Sequence, residues 1–140
     1  MAGDQVALDT SVAVPLLMRR HGAHAAVRDR LHNLVPRLTA HSQLETYSVL
    51  TRLPGDARVQ PADAARLLQS ISPDGPLVLD ASAMTSWPTR FAGIGISGGA
   101  SYDAMIALEA LANGMLLLTR DARAISTYQR SGVDFEALTG

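Results

Sequence analysis

The chain has 140 residues, the size of one domain over residues 1–140, and its apolar fraction of 47% is sufficient for an ordinary core. A net charge of -1 excludes a general attraction to nucleic acid, so such a role needs a local basic patch or bound metal ions. The lack of cysteine excludes disulfides, thiolate zinc sites and a cysteine nucleophile, and the lack of lysine excludes P-loop NTPases and Schiff-base enzymes.

Short apolar runs alternate along the chain with segments of helical spacing. In chain order we predict a strand over 6–8, helices over 12–19 and 23–35, a strand over 37–41, helices over 42–53 and from 61 to 68 or 71, a strand over 77–79, a partly helical segment over 81–91 interrupted near Pro88, a helix over 101–112, a strand over 115–118, a helix over 122–130 and a short strand over 133–138. This alternation predicts an α/β fold with a mostly parallel sheet of four to five strands, whose site lies beyond the carboxyl ends of the strands.

Four acidic residues fall at predicted strand ends or helix starts. Asp9 ends the first strand, Glu45 lies in the first turn of the helix after the second strand, and Asp121 follows the fourth strand. A doubly wound sheet brings these three to one edge, whereas topology alone leaves open whether Asp103, in the first turn of its helix, joins them. Each also has a structural interpretation: Asp9 and Asp121 as N-caps, Glu45 as the capping-box partner of Ser42, and Asp103 as a charge favoured near a helix N-terminus.

A cluster of these carboxylates would favour a divalent cation, because neighbouring carboxylates repel and raise one another's pKa. All-oxygen ligands suit Mg²⁺ or Mn²⁺, and such a metal supports phosphodiester hydrolysis. The hydroxyls of Thr10, Ser11 and Thr119 lie beside the acids and would orient ligands or waters, or serve only as local caps and turn contacts. Arg120 and Arg123 flank Asp121 and are candidates for contacts to the phosphates of a nucleic-acid substrate.

These motifs carry a family resemblance that covers nearly the whole chain. "ALDTS", Glu45 at 36 residues after Asp9, "GGASYDAMIALEA" and "LLLTRDARA" resemble a PIN domain, and more narrowly the VapC-type toxins of bacterial toxin–antitoxin pairs. The resemblance implies a compact three-layer α/β/α domain that is a Mg²⁺- or Mn²⁺-dependent endoribonuclease. Its acidic positions match Asp9, Glu45, Asp103 and Asp121. Asp9 and Asp103 would bind the metal directly, and the other two directly or through water.

The resemblance also implies partners, namely an RNA substrate, a second copy of the chain in a homodimer, and a small antitoxin that covers the acidic pocket. Two alternatives stay open: a non-catalytic PIN-like binding module whose acids are caps or a docking site for a basic partner, and a PIN-like nuclease that acts on other nucleic acids. No charged leader or long apolar run is found, so we expect a cytoplasmic protein without a membrane segment.

A second motif, Gly93-x-Gly95-x-x-Gly98, matches the dinucleotide-binding fingerprint by its letters. No buried strand is predicted before it, so we interpret it as a sharp turn into the helix that carries Asp103. Of the remaining polar residues, Asp80 is interpreted as a helix cap. His41, four residues before Glu45, could reach the acidic site, although a structural role at a strand end is favoured.

Overall fold

Four parallel strands form the centre of the fold in the computed structural model, which describes residues 4–139. Their bounds are Asp4–Leu8 (β1), Leu34–Leu38 (β2), Leu116–Thr119 (β3) and Phe135–Ala137 (β4). The order across the sheet is β2-β1-β3-β4, and each neighbouring pair is parallel. The predicted α/β fold with a mostly parallel sheet is therefore confirmed.

Seven α-helices connect and flank the strands in the described part of the chain. They are Thr10–Leu17 (α1), His24–Arg30 (α2), Ala40–Thr51 (α3), Pro61–Ile71 (α4), Ala81–Gly93 (α5), Ala100–Ala112 (α6) and Ile125–Ser131 (α7), with short 3₁₀ turns at Gly55–Ala57 and Ala122–Ala124. A bilayer-spanning helix would have to be longer and more apolar than any helix between residues 4 and 139.

The helices cover both faces of the sheet. Alternate side chains of a strand point to opposite faces, and β1 shows how this divides the core. Val6 and Leu8 pack in a core with residues of α1, α2 and α4, whereas Ala7 packs in a second core with residues of α6 and α7. A third cluster joins α5 to α6. This arrangement is the predicted three-layer α/β/α domain.

The segment between α2 and α3 differs from the prediction. The helix predicted over 23–35 ends at Arg30, and the strand predicted over 37–41 occupies Leu34–Leu38. Asn33 has a φ of 66°, a left-handed backbone that cannot continue a helix and that asparagine tolerates better than most residues. The chain therefore turns three residues before Pro36, and apolar residues predicted to complete a helix instead pair with β1.

The segment predicted as a strand over 77–79 forms only one isolated bridge, between Leu77 and Thr39. The N–H of Leu77 donates to the carbonyl of Leu38 over 2.8 Å, and the carbonyl of Leu77 accepts from Ala40 over 2.9 Å. Pairing extends no further because the chain turns at once into α5, which Asp80 caps by accepting a hydrogen bond from the N–H of Ala83 over 2.8 Å. The cap predicted at Asp80 is thus confirmed, and the prediction of a strand over 77–79 is wrong.

One proline and two glycines mark the path through α5 to α6. The helix α5 is continuous through Pro88, so the predicted interruption is wrong. Because proline has no N–H, the carbonyl of Met84 lacks its helical donor. Both Pro88 and Met84 are exposed. Gly95 and Gly98 have φ values of 74° and 58°, which other residues rarely adopt. A helix rather than a buried strand precedes these glycines, which confirms their interpretation as a turn into α6.

Candidate active site

Asp9 lies at the carboxyl end of β1 and is 4% exposed. Its Oδ1 accepts a hydrogen bond from the Ser11 hydroxyl over 2.5 Å, and its Oδ2 accepts one from the Tyr128 hydroxyl over 2.7 Å. Asp9 occupies the N-cap position of α1 but makes no side-chain cap bond, so the N-cap interpretation is not supported. Burial raises the pKa of Asp9, and the hydroxyls of Ser11, Thr119 and Tyr128 oppose part of that rise.

The hydroxyls predicted to lie beside the acids join the ends of β1 and β3. The Ser11 hydroxyl accepts a hydrogen bond from the backbone N–H of Arg120 over 2.7 Å and lies 3.4 Å from the Thr119 hydroxyl. The Thr119 hydroxyl in turn accepts from the N–H of Asp121 over 3.0 Å. Thr10 differs, because its buried Oγ1 has no hydrogen-bond partner among the described residues. Its lone pairs remain available to a ligand or a water.

Asp103 lies in the first turn of α6, as predicted, and the other three acids act on its ionisation. Its pKa is raised from 3.8 to about 6, first by burial and then by the charges of Asp121, Glu45 and Asp9, while His41 opposes the rise. Such charge effects weaken with distance, so Asp121, Glu45 and Asp9 lie within interaction range of Asp103. Topology alone had left the position of Asp103 open.

Glu45 lies on α3, in the second turn rather than the predicted first turn. The helix begins at Ala40 because Thr39 caps it: the Thr39 hydroxyl accepts from the N–H of Ser42 over 3.0 Å, and the Ser42 hydroxyl accepts from the N–H of Thr39 over 2.9 Å. The capping box is therefore closed by Ser42, and the interpretation of Glu45 as its partner is wrong. Burial and then the charge of Asp9 raise the pKa of Glu45.

Asp121 does act as a cap. Its Oδ1 accepts a hydrogen bond from the backbone N–H of Arg123 over 3.0 Å and lies 3.4 Å from the Nε of that arginine. The Arg123 side chain is 93% exposed. The side chain of Arg120 lines a different space, a cavity of about 200 Å³ that also borders Arg30 and Glu136. Arg123, one of the two predicted phosphate contacts, thus lies beside an acidic residue of the site.

Two buried residues that sequence reasoning missed support the site. The Tyr128 side chain is fully buried, and a buried tyrosine hydroxyl requires a partner, which was the available signal. Glu109 is 4% exposed on α6, and its Oε1 accepts from the N–H of His41 over 3.0 Å, which joins α6 to the start of α3. The signal for Glu109 was a carboxylate in a segment, 104–112, that is otherwise apolar. Burial raises the pKa of both groups.

The donor atoms at this edge match a hard divalent cation in chemistry and charge. They are carboxylate oxygens of four acids, three of which have a pKa raised by burial or by one another. Between residues 4 and 139, however, no three histidine, aspartate or glutamate side chains stand close enough to hold a metal ion as they are. A cation would have to draw the carboxylates together.

The sequence compares closely with known proteins over nearly its full length. The pattern of the PIN domain family matches residues 6–129. Ribonuclease VapC27 of Mycobacterium tuberculosis (strain ATCC 25618 / H37Rv) is 49% identical over 128 residues, which are 91% of this chain and 93% of that protein. Ribonuclease VapC40 of Mycobacterium tuberculosis (strain CDC 1551 / Oshkosh) is 41% identical over 134 residues, 96% of this chain and 99% of that protein.

Solved structures show the same fold at low sequence identity. A chain of FitAB bound to the IR36 DNA fragment superposes with a TM-score of 0.70 at 20% identity, covering 94% of both chains. A chain of VapBC2 from Rickettsia felis, bound to a DNA fragment from its promoter, superposes with a TM-score of 0.66 at 15% identity, covering 96% of this chain and 99% of the other. At such identities the likeness supports the fold alone.

Proposed function

The chain belongs to the PIN domain family, and on this premise we propose that it is a metal-dependent endoribonuclease, the toxin of a type II toxin–antitoxin pair. A ribonuclease activity is supported by relatives that carry that name at 49% and 41% identity. The observation that carries the metal dependence is the charge effect of Asp121, Glu45 and Asp9 on the ionisation of Asp103, and of Asp9 on that of Glu45. A cation offsets that repulsion.

In this proposal Asp9 and Asp103 hold Mg²⁺ or Mn²⁺, with Glu45 and Asp121 as further ligands, directly or through water. When bound, the metal supplies polarisation of a phosphate oxygen and a lowered pKa for water. The protein's own contribution is orientation. Ser11 and Tyr128 each donate a hydrogen bond to one oxygen of Asp9, which fixes the plane of its carboxylate.

The remaining parts of the proposal concern what the site contacts. The exposed Arg123, beside Asp121, would contact an RNA phosphate, and Arg120 is the second candidate. We further propose a homodimer and a cognate antitoxin whose basic residue enters the acidic pocket. A supporting case is a third solved structure with this fold, at a TM-score of 0.59, whose name describes VapBC-5 from Mycobacterium tuberculosis as a member of the VapBC family of toxin-antitoxin systems.

Cleavage of RNA by the purified chain tests the mechanism. We expect cleavage in Mg²⁺ or Mn²⁺ and none in EDTA, and Asp9→Ala and Asp103→Ala should each lower the rate at least ~100-fold because the metal loses a direct ligand. Asp80→Ala is the matched control, since it removes an aspartate whose oxygen caps α5. Full cleavage in EDTA, or by either active-site variant, would refute the mechanism.

A non-catalytic binding module is the second candidate. The observation that favours it is the lack, within residues 4–139, of three ligand side chains already grouped for a metal. This candidate predicts that the chain cleaves no RNA under any metal condition. It also predicts that Mn²⁺ leaves the melting temperature unchanged, both for the wild type and for Asp103→Ala.

A further inference from the structure

Two rings stack at the rim of the acidic cluster. His41, in the first turn of α3, and Tyr102, in the first turn of α6, have ring centroids 5.6 Å apart and planes inclined by 22°. Tyr102 directly precedes Asp103 in the sequence, and the Nε2 of His41 lies 3.5 Å from Oε1 of Glu45. The pair therefore bridges the two helices that carry Glu45 and Asp103.

The position of Tyr102 is not explained by core packing. Tyr102 is 60% exposed, whereas the other tyrosine hydroxyl near the acids, that of Tyr128, is fully buried and hydrogen-bonded. The backbone of His41 is anchored, because its N–H donates to the buried carboxylate of Glu109 over 3.0 Å, and the His41 side chain is only 20% exposed. The result is an exposed aromatic surface on a fixed support, next to the carboxylates proposed to act on a phosphodiester.

We propose that Tyr102, supported by His41, is a stacking platform for an unpaired base of the substrate next to the scissile phosphate. This inference rests on the proposed nuclease function and adds to it a contact between the protein and a base. Bases in a duplex already stack on one another, whereas bases of loops and ends can be splayed onto an aromatic ring. Since the chain has a net charge of -1, and Arg123 is paired with Asp121, stacking supplies affinity that phosphate contacts do not.

Binding of a single-stranded RNA oligonucleotide, measured with Ca²⁺ in place of Mg²⁺, tests the platform. Tyr102→Ala should weaken binding by roughly 5- to 100-fold, and Tyr102→Phe should bind like the wild type because it keeps the ring. Tyr102→Leu keeps an apolar side chain without a π-face and should resemble Tyr102→Ala. Val78→Ala, at another exposed apolar residue, should change nothing.

An abasic substitution in the RNA provides the second arm. At the nucleotide that occupies the platform, loss of the base should abolish the difference between wild type and Tyr102→Ala, whereas abasic positions elsewhere should leave it intact. When RNA cleavage is measured in Mg²⁺, Tyr102→Ala should raise the KM for RNA more than it lowers kcat. Equal binding by wild type and Tyr102→Ala, equal binding by Tyr102→Leu and Tyr102→Phe, or an equal loss for duplex RNA would overturn the platform. Failure of the wild type to cleave any RNA would refute the nuclease function instead.

Discussion

The hydroxyl of Tyr128 donates a hydrogen bond to Oδ2 of Asp9 over 2.7 Å, across 119 positions of sequence. Asp9 is 4% exposed and Tyr128 is fully buried, so water cannot readily replace either partner. Phe135 of β4 meets the ring of Tyr128 edge-on at a centroid distance of 5.8 Å, which fixes the ring from the other side. Formation of α7 and β4 is thus coupled to the orientation of the carboxylate at the end of β1.

Tyr128→Phe removes this donor and keeps the ring. We expect the free energy of unfolding in EDTA to fall by about 1.5–3 kcal/mol, because a hydrogen bond to a charged group is lost inside the protein. Urea denaturation followed by circular dichroism measures the change. Tyr47→Phe is the matched control, since the Tyr47 hydroxyl has no hydrogen-bond partner within residues 4–139, and it should change stability by less than about 0.5 kcal/mol. Equal effects of the two variants would contradict the prediction.

Binding of a metal at the acidic edge should be visible without any substrate. A ligand that binds only the folded state at about 100 times its Kd adds ~2.7 kcal/mol of stability, so Mn²⁺ should raise the Tm of the wild type by several degrees. Asp9→Asn and Asp103→Asn should lose most of that rise, whereas Asp56→Asn, in the exposed turn Gly55–Ala57, should keep it. Differential scanning fluorimetry with Mn²⁺ and EDTA gives the comparison. A rise of the same size in all four proteins would place the metal elsewhere.

The pKa of Asp103 predicts a pH dependence of stability in the absence of metal. The folded-state pKa is about 6 and the ordinary value is 3.8, so the folded state binds the proton more tightly than the unfolded state. Stability contributed by this group is therefore present at low pH and is lost as pH rises from about 4 to about 6. Burial and then the charges of Asp121, Glu45 and Asp9 raise the pKa of Asp103, and His41 opposes the rise.

Asp103→Asn removes the charge that causes this loss. We expect the variant in EDTA to melt roughly 2–5 °C above the wild type at pH 8, and the two to converge near pH 4, where the aspartate is protonated as well. Asp56→Asn makes the same charge change in an exposed turn and should show a smaller difference at pH 8. A melting difference that is constant across this pH range would show that Asp103 is not the titrating group.

The family and the sheet topology could be predicted from the sequence, because both depend on local patterns and on chain topology. The PIN domain family is confirmed, and so is the parallel sheet, because alternation of apolar strands with helices permits few other arrangements. The stacked rings and the Tyr128 contact could not be predicted, because each joins residues far apart in the chain through side-chain positions that only packing fixes. The roles of Asp9, Glu45, Asp103 and Asp121 remain predictions until they are tested.

Local errors arose where one residue overrode the surrounding pattern. Helical spacing over 23–35 was real up to Arg30, but the left-handed backbone of Asn33 turns the chain into β2. At Pro88 the prediction of an interrupted helix was wrong, because a proline on an exposed helix face removes a hydrogen bond without breaking the helix.

The proline in α5 gives a direct test of that balance. Pro88→Ala restores an N–H that can donate to the carbonyl of Met84 one turn earlier, so we expect the free energy of unfolding to rise by about 1–3 kcal/mol. The gain stays below the full helix penalty of proline because the unfolded chain also becomes more flexible. Pro61→Ala is the matched control: Pro61 is the first residue of α4, where no helical donor is required, so this change should be neutral or slightly destabilising. Urea denaturation of both variants at pH 7 measures the two values, and a Pro88→Ala protein less stable than the wild type would show that α5 requires its proline.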